Sequence, residues 1–416
     1  MGSKFVTVVD LGSSKITAIT AEIFEDKTIE VKGIGTAPSN GIKKGKVTDI
    51  KDLSQQIKVA FDKLKEDSNC DIKTLLVSTS GDFIKYMNSV GKVTLSSEGK
   101  STEIKQAHIN EVLEDAKDSV LKQTGLESYE IIHAIPKYFL IDNNTEHYKL
   151  PLMFSATKLS GEIITILAEK SVLQNLTKCF EINGYQVDSY IFSGYASALG
   201  VLTEQEQELG CIMIDIGAGI SDGIIFSKKY IHAISINQVG GEEITKDVYT
   251  ILRTLPKTAN DLKVGLSQLD YKKYDFKKEV EYPTFDRNFT KKVQLQVVKD
   301  IIERRIQDSL EGCYKELIKW YKPEIISAGL VLTGGACNLG IYQDIARDTF
   351  NLPIKISKPL MDGISGKVES LSKLEGATVV GLLRYSAINN LESQSLFPSK
   401  LNIKNVFSSI KKFFSE

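Results

Sequence analysis

The sequence predicts a two-lobed α/β protein made by duplication of one unit, with a small α+β module inserted in its first half and an amphipathic helix at its C-terminal end. Its plainest sign is a repeated stretch. "VVDLGSSKITAIT" (8–20) has two strand-like runs around a polar glycine turn, and "IMIDIGAGISDGIIF" (212–226) has the same design. Both turns are followed by the same mixture of strands and helices, as expected of an internally repeated α/β unit. Between 82 and 161 the texture changes, and that segment reads as an insertion.

In chain order, "KFVTVVD", "KITAITAEIF" and "TIEVKGIGTA" predict a β-meander. "DLSQQIKVAFDKLKEDS" predicts a crossover helix with Leu53, Ile57, Ala60, Phe61 and Leu64 on one face, and "TLLVSTSG" the return strand. The insertion holds a helix near "EIKQAHINEVLEDAKDSVLKQ" and the strand "YEIIHAIPKYFLID". "EIITILAEKSVLQNLTKCFEINGYQV" then returns to strand and helix, with Gly184 as the stop. "SGYASALGVLTEQEQEL" predicts one helix ended by Gly210, and "QLQVVKDIIERRIQDSLEGCYKELIKWY" a long one. "AGLVLTGGACNLGIYQDIARDTFNLPIKI" reads as strand, Gly-Gly turn, helix and strand, and "EGATVVGLLRYSAI" as a final helix.

These elements divide the chain as follows. Lobe 1 takes 1–81, 162–197 and the final helix in 360–388, with the module at 82–161. Lobe 2 takes 198–227 and 306–359, with a peripheral subdomain at 228–305. A linker, 389–400, leads to a terminal helix at 401–416.

Composition removes several classes. The formal charge of −1 offers no basic field for nucleic acid. Cys70, Cys179, Cys211, Cys313 and Cys337 are scattered, without a CxxC pair, which argues against structural zinc and a disulfide framework. His108, His133, His147 and His232 lack ligand spacing and are expected to be structural or on the surface. No signal segment and no run long enough to span a bilayer is visible.

The glycine turns suggest phosphate chemistry. A polyphosphate needs converging N–H donors and close backbone, which glycine permits. Gly12, Ser13 and Ser14 supply one such turn; Gly217, Ala218 and Gly219, with Ser221 beyond, supply another. Facing each other, they would clamp a phosphate chain, with Lys15 neutralising charge. Asp10 and Asp215 end their strands there, placed to hold Mg²⁺ through waters. In "LVLTGGACNL", Gly334 and Gly335, followed by Ala336, would bring backbone and a helix N-terminus to a nucleoside. Each motif alone is weak; the order hairpin, hairpin, Gly-Gly turn carries the nucleotide-binding reading. "GIKKGKVT" (41–48) is rejected as a P-loop, because three residues separate its glycines and Val47 stands where Ser or Thr is required.

Here the sequence resembles the actin, Hsp70 and sugar-kinase superfamily, and within it the FtsA family of bacterial actin-like cell-division proteins. The resemblance covers nearly the whole chain, through "VVDLGSSKI", "GIKKGKVTDI", "ASALGVLTEQEQELG", "IDIGAGISD", "QVGGEEITKDV", "VLTGGACNLGI" and the tail. It implies a duplicated actin-like (ribonuclease H-like) fold and ATP with Mg²⁺ in a central cleft, with Gly240, Gly241 and Lys263 also at the nucleotide. It implies polymerisation, binding of the FtsZ C-terminal tail within about 228–305, and recruitment of later division proteins at the cytoplasmic face of the membrane. Two positions depart from the family pattern. Ser193 stands where related ATPases carry Glu or Gln to position water, so hydrolysis is expected to be slow at most. Asn260, in "ANDLK", replaces a Glu that approaches the ribose, while Lys263 remains.

"LNIKNVFSSIKKFFSE" places Leu401, Ile403, Val406, Phe407, Ile410, Phe413 and Phe414 on one helical stripe, with Lys404, Lys411 and Lys412 on or beside the polar side. This pattern suits an interfacial helix on anionic lipid. A terminal helix packed on its own domain is the bland alternative. For the whole chain, the runner-up is a sugar- or acetate-type kinase of the same superfamily. It would need a catalytic base for its acceptor and leaves the tail unexplained. An Hsp70-type chaperone lacks room for a peptide-binding domain, and a pilus-assembly relative would not be expected to end in such a tail.

Overall fold

The first strands follow from near-continuous apolar runs that are buried on both faces. β1 (Ser3–Leu11), β2 (Lys15–Phe24) and β3 (Ile29–Pro38) form an antiparallel meander with Val8, Val9, Ile16, Ala18 and Ile19 fully buried. A small hairpin, β4 (Ile42–Lys43) and β5 (Lys46–Val47), leads to helix α1 (Ile50–Ser68). The Asp49 side chain caps α1 by accepting from the Asp52 N–H. The predicted face, Leu53, Ile57, Ala60, Phe61 and Leu64, is the one α1 buries. β6 (Leu75–Thr79) returns parallel to β1. This computed structural model describes residues 3–389, apart from 73–74, 97–98, 143, 145–147, 270–273, 287–288 and 321–324. The tail expected as a membrane helix (401–416, with Val406, Phe407, Ile410, Lys411, Lys412, Phe413 and Phe414) and the linker beyond Asn389 lie outside the described residues.

The inserted module comprises β7 (Ile84–Thr94), β8 (Thr102–Glu103), α2 (Gln106–Leu121), β9 (Tyr129–Ile141), β10 (Ser155–Ala156) and β11 (Lys158–Glu169). Its main sheet has the order β7-β11-β9, all antiparallel. Its own core gathers Ile109, Val112, Leu113 and Ala116 of α2 with Phe139, Leu159 and Ile163. The boundary expected at 161 falls inside β11. That strand pairs with both neighbours along its length, so the run expected to resume lobe 1 instead completes the module.

The chain then re-enters lobe 1 through α3 (Lys170–Glu181) and β12 (Ser189–Phe192), which lies parallel to β6. α4 (Ser193–Val201) and α5 (Glu204–Leu209) follow. They were expected as one helix, but Leu202 is extended and Thr203 with Glu206 forms a capping box that starts a new one.

Lobe 2 repeats the plan with β13 (Cys211–Ile216), β14 (Ser221–Ser227) and β15 (Tyr230–Asn237). Next come α6 (Gly241–Leu252), α7 (Pro256–Ser267), the hairpin β16 (Glu279–Pro283) and β17 (Thr290–Gln294), and α8 (Leu295–Leu317). β18 (Leu330–Thr333), α9 (Tyr342–Phe350) and β19 (Ile354–Ile356) complete its core. β20 (Ile364–Gly366) pairs with β3, and α10 (Ala377–Asn389) packs on lobe 1 beside α4. The sheets run β12-β6-β1-β2-β3-β20 and β15-β14-β13-β18-β19. Apart from β20 they have one topology, an antiparallel meander extended by two parallel strands, and that equivalence is the duplication. Two expected boundaries shift: β15 belongs to the lobe 2 sheet although 228 was expected to open the peripheral subdomain, and the border at 305 lies within α8.

Phe61 is fully buried where α1 meets α3, with its ring 4.3 Å from that of Tyr185 and edge-on to Phe180 at 6.2 Å. Phe61→Ala is expected to cost about 3–5 kcal/mol, as transfer and cavity costs add. Urea unfolding of the full chain measures it; a midpoint unchanged from the parent would contradict the packing described.

Candidate functional site

The repeated hairpins meet across the gap between the lobes. β1–β2 closes over Gly12–Ser14, and β13–β14 over Gly217–Ile220. They approach so closely that a Cβ on Gly219 would lie 2.6 Å from Ser13 Oγ, so any larger residue there would have to displace the Ser13 hydroxyl. Between the lobes lies a cleft of about 1090 Å³. Lobe 1 lines it with Asp10, Gly12, Ser13, Ser14 and Lys15, and lobe 2 with Asp215, Gly217, Ala218, Gly241, Lys263, Gly334, Gly335 and Ala336. Residues 200 positions and more apart in sequence, singled out for phosphate and nucleoside contact, thus share one cavity.

Three of the expected residues do not line it. Ser221 is fully buried and its hydroxyl donates to the Val239 carbonyl at 2.7 Å. Strand alternation explains this: Ile220 and Asp222 face the cleft and Ser221 faces away. Gly219 faces Ser13, and Gly240 packs on the second hairpin, where a Cβ would meet the Ala218 carbonyl at 2.5 Å. The Gly-Gly turn also differs from expectation. Gly335–Asn338 is a single 3₁₀ turn and α9 begins only at Tyr342, so no α-helix N-terminus follows the glycines directly. Gly334 has φ +92°, and a Cβ there would come within 2.2 Å of Asp215 Oδ1.

Carboxylates crowd the cleft floor. Asp10, one residue before the end of β1, accepts from Ser78 Oγ at 2.8 Å. Asp215, at the end of β13, accepts from the Ser197 hydroxyl, and from Thr378 Oγ1 at 3.3 Å. Asp222 lies directly opposite Asp215 in the β13–β14 pair and accepts from Ser80 Oγ at 2.6 Å, across the lobes. In the first hairpin the position opposite Asp10 is Thr17, so the like-charge pair is particular to the second copy. Loss of water pushes all three carboxyls up, and the charge of Asp215 adds to the rise at Asp10 and Asp222. Asp10 reaches about 6 and Asp222 about 8.

Asp222 was not singled out from the sequence, although period-two alternation from Ile220 would have placed it on the cleft side. Lys43 and Gly45 of the rejected P-loop stretch also line the cleft. The stretch is a hairpin, and Lys44 Nζ pairs with Glu243 Oε1 of α6 at 2.9 Å, joining the lobes. Ser193 and Asn260 line the cleft as well. Lys263 is already engaged: its Nζ donates to the Gly241 carbonyl at 3.0 Å and to Thr245 Oγ1 at 2.7 Å, and burial lowers its pKa.

This donor set suits a hydrated divalent cation. Among the described residues no cluster of three or more acid, histidine or cysteine side chains could cage a metal. Asp10 and Asp215 would therefore share Mg²⁺ with waters and phosphate oxygens, its usual manner of binding beside phosphates. Desolvated carboxylates and glycine-rich backbone beside them fit such a guest.

The raised pKa of Asp222 has a sign that can be read in solution. The folded chain holds this proton up to about pH 8, whereas the free side chain loses it near 3.8. Between those values the folded state binds more protons, so stability falls as pH rises, by at most about 1.4 kcal/mol per unit. Asp222→Asn keeps an acceptor for Ser80 and removes the titration. Without ligand it should melt above the parent at pH 8, with the gap narrowing towards pH 4. A gap independent of pH would show that Asp222 is ionised normally.

Comparison with known proteins agrees with this architecture. The family model "Cell division protein FtsA" matches residues 212–381, and that of the "SHS2 domain inserted in FTSA" matches 81–167. The cell division protein FtsA of Pseudomonas aeruginosa is 28% identical over 94% of this chain and 92% of its own. That of Escherichia coli K12 is 27% identical over the same shares, 94% and 92%. Among solved structures, a PilM–PilN type IV pilus biogenesis complex superposes with TM-score 0.62 at 13% identity, covering 92% of this chain and 98% of that one. MreB5 of Spiroplasma citri bound to ADP gives 0.56 at 14%, covering 94% and 99%. The likeness to these two shows the actin-like fold alone. With its core and its inserted module both matched, this chain belongs to the FtsA family of cell division proteins.

Proposed function

We propose that this chain binds ATP with Mg²⁺ between its lobes, polymerises in that state, and tethers the FtsZ ring to the cytoplasmic face of the membrane at the division site. The observation that carries the reading is the contact of two glycine hairpins, one from each lobe, above a floor of desolvated carboxylates. N–H groups of Gly12–Ser14 and of Ala218 would hold phosphate oxygens, with Lys15 balancing their charge. Asp10 and Asp215 would hold the cation through its waters. The bound nucleotide supplies negative charge that both lobes can grip at once, and the chain's own hairpins and the Lys44–Glu243 pair keep the lobes together. Gly241, Lys263 and Gly334–Ala336 form the wall suited to the nucleoside. Ser193 brings no base to the cleft, which favours slow hydrolysis at most.

Family membership supports the remaining parts: docking of the FtsZ C-terminal tail on the peripheral subdomain of lobe 2, self-association, recruitment of other division proteins, and lipid contact by 401–416. A single short amphipathic tail binds reversibly, and copies linked in a filament bind more firmly through effective concentration. The FtsA relatives give the kinase alternative no support.

Two measurements test the proposal. Calorimetry should detect Mg–ATP binding with proton release, since a cation reverses the rise in the Asp10 and Asp215 pKa values; absence of any heat with folded protein rejects the nucleotide reading. Flotation with anionic vesicles should recover the full chain and lose it on deletion of 401–416, with ATP strengthening recovery. Equal flotation of both forms rejects the tether.

A further inference from the structure

One histidine of the inserted module meets the two helices that hold the cleft acids. His133 sits on β9 with 5% exposure. Its Nε2 accepts the backbone N–H of Phe192 at 3.0 Å. Phe192 is the last residue of β12, the edge strand of the lobe 1 sheet, and the N-cap residue of α4. No side chain of its own segment caps α4, so an acceptor from the module takes one of the N–H groups a helix start leaves unpaired. Burial drives the imidazole pKa down to about 3, so this nitrogen keeps its lone pair at ordinary pH.

The first turns of α4 are also where two of the three acids are held. Gly194 abuts Asp222, whose Cβ would lie 2.9 Å from a Cβ added there. One turn on, Ser197 donates to Asp215 and lies 2.9 Å from Thr378 of α10, which reaches the same carboxylate. The His133 ring packs edge-on against Tyr195 of α4 at 5.4 Å and Tyr385 of α10 at 5.9 Å, so it touches both helices that hold Asp215. Tyr195 and Tyr385 complete the triangle at 6.2 Å.

We infer that His133 is a positioning residue for the cleft, setting the start of α4 so that Ser197 and Gly194 hold Asp215 and Asp222, and thereby coupling the seating of the inserted module to occupancy of the cleft by Mg–ATP. This rests on the nucleotide reading above. The link works in both directions, as any binding linkage must. A partner that shifts β9 changes nucleotide affinity, and nucleotide changes the protection of β9.

The test uses the full chain with His133→Leu, which keeps apolar bulk and loses the acceptor, and His133→Gln, whose amide oxygen reaches as far as Nε2. H133L should weaken Mg–ATP about 5-fold or more, at the low end of typical coupling. It should also speed hydrogen exchange across 192–197 and remove the nucleotide-dependent change in exchange of β9. H133Q should restore all three. The double variant H133L/S197A should bind no worse than the weaker single, because both changes loosen one carboxylate. Should H133L not fold, H133N, with a shorter amide, takes its place. Unchanged affinity and exchange in the variant lacking the acceptor, independent losses in the double variant, or failure of Gln to rescue overturns the coupling. No ATP binding by the parent chain rejects the nucleotide reading and the coupling with it; parent binding with an indifferent H133L rejects the coupling alone.

Discussion

The structure depends on holding carboxylates together where water is scarce. Asp10, Asp215 and Asp222 converge at the junction of two lobes, and each resists full ionisation there. A fold gains no stability from such an arrangement; burying like charges opposes it. Hydroxyls from several elements make the arrangement tolerable: Ser78 on β6, Ser80 just beyond it, Ser197 on α4 and Thr378 on α10. Removing water from acids and then surrounding them with neutral donors prepares a place for positive charge. The glycine turns beside them prepare one for negative charge. On the proposed function, a cation–polyphosphate pair would satisfy both needs at once.

That constraint also accounts for the tightness of the backbone at the junction. Gly219 is pressed on Ser13, Gly334 on Asp215 and Gly240 on Ala218. Apart from Gly334, which also needs positive φ, these are matters of close approach. A side chain at Gly219 would have to displace Ser13 of the facing lobe, one at Gly240 would push on the second hairpin, and one at Gly334 would push Asp215 from the floor. Among the described residues the polar contacts between the lobes include the buried Ser80–Asp222 bond near the floor and the partly exposed Lys44–Glu243 pair, the latter worth on the order of 1 kcal/mol or less. The lobes are therefore joined by geometry near the floor and only lightly latched at the rim. Closure that depends on a guest is the behaviour such a balance favours.

Much of this was legible in the sequence, and the parts that were not fail for physical reasons. The meanders, α1 with its five-residue face and the pairing of the two hairpins could be read because each has its own period and punctuation. β11 could not be assigned to the right body: "EIITILAE" is a continuous apolar run, and such a run fits any buried sheet equally well. β15 was lost to the peripheral subdomain because the polar turn before it, Lys228 and Lys229 in left-handed conformation, resembles a domain edge. At the site, residues on turns were found and residues arriving from elsewhere were not. Ser78, Ser80, Ser197 and Thr378 are ordinary hydroxyls on strands, loops and helices until the fold brings them to a carboxylate. Asp222 was within reach, since it lies one strand step from Ile220, yet a search for turn chemistry passes over the strand that follows.

The placement of the module gives the duplication its asymmetry. Both lobes carry the same five-stranded plan, and each needs something beside its parallel edge. In lobe 2 the edge strand β19 is followed by a chain that leaves for lobe 1. In lobe 1 the edge strand β12 meets β9 of the module, and the backbone donor at its end is answered by His133. An insertion that merely hung from a loop could be added or lost without consequence for the core. This one supplies an acceptor at the start of α4 and a ring between α4 and α10, so the geometry of the carboxylate floor includes it. A module that meets the outside world on one face and the floor's supporting helices on the other cannot shift without the floor registering the change.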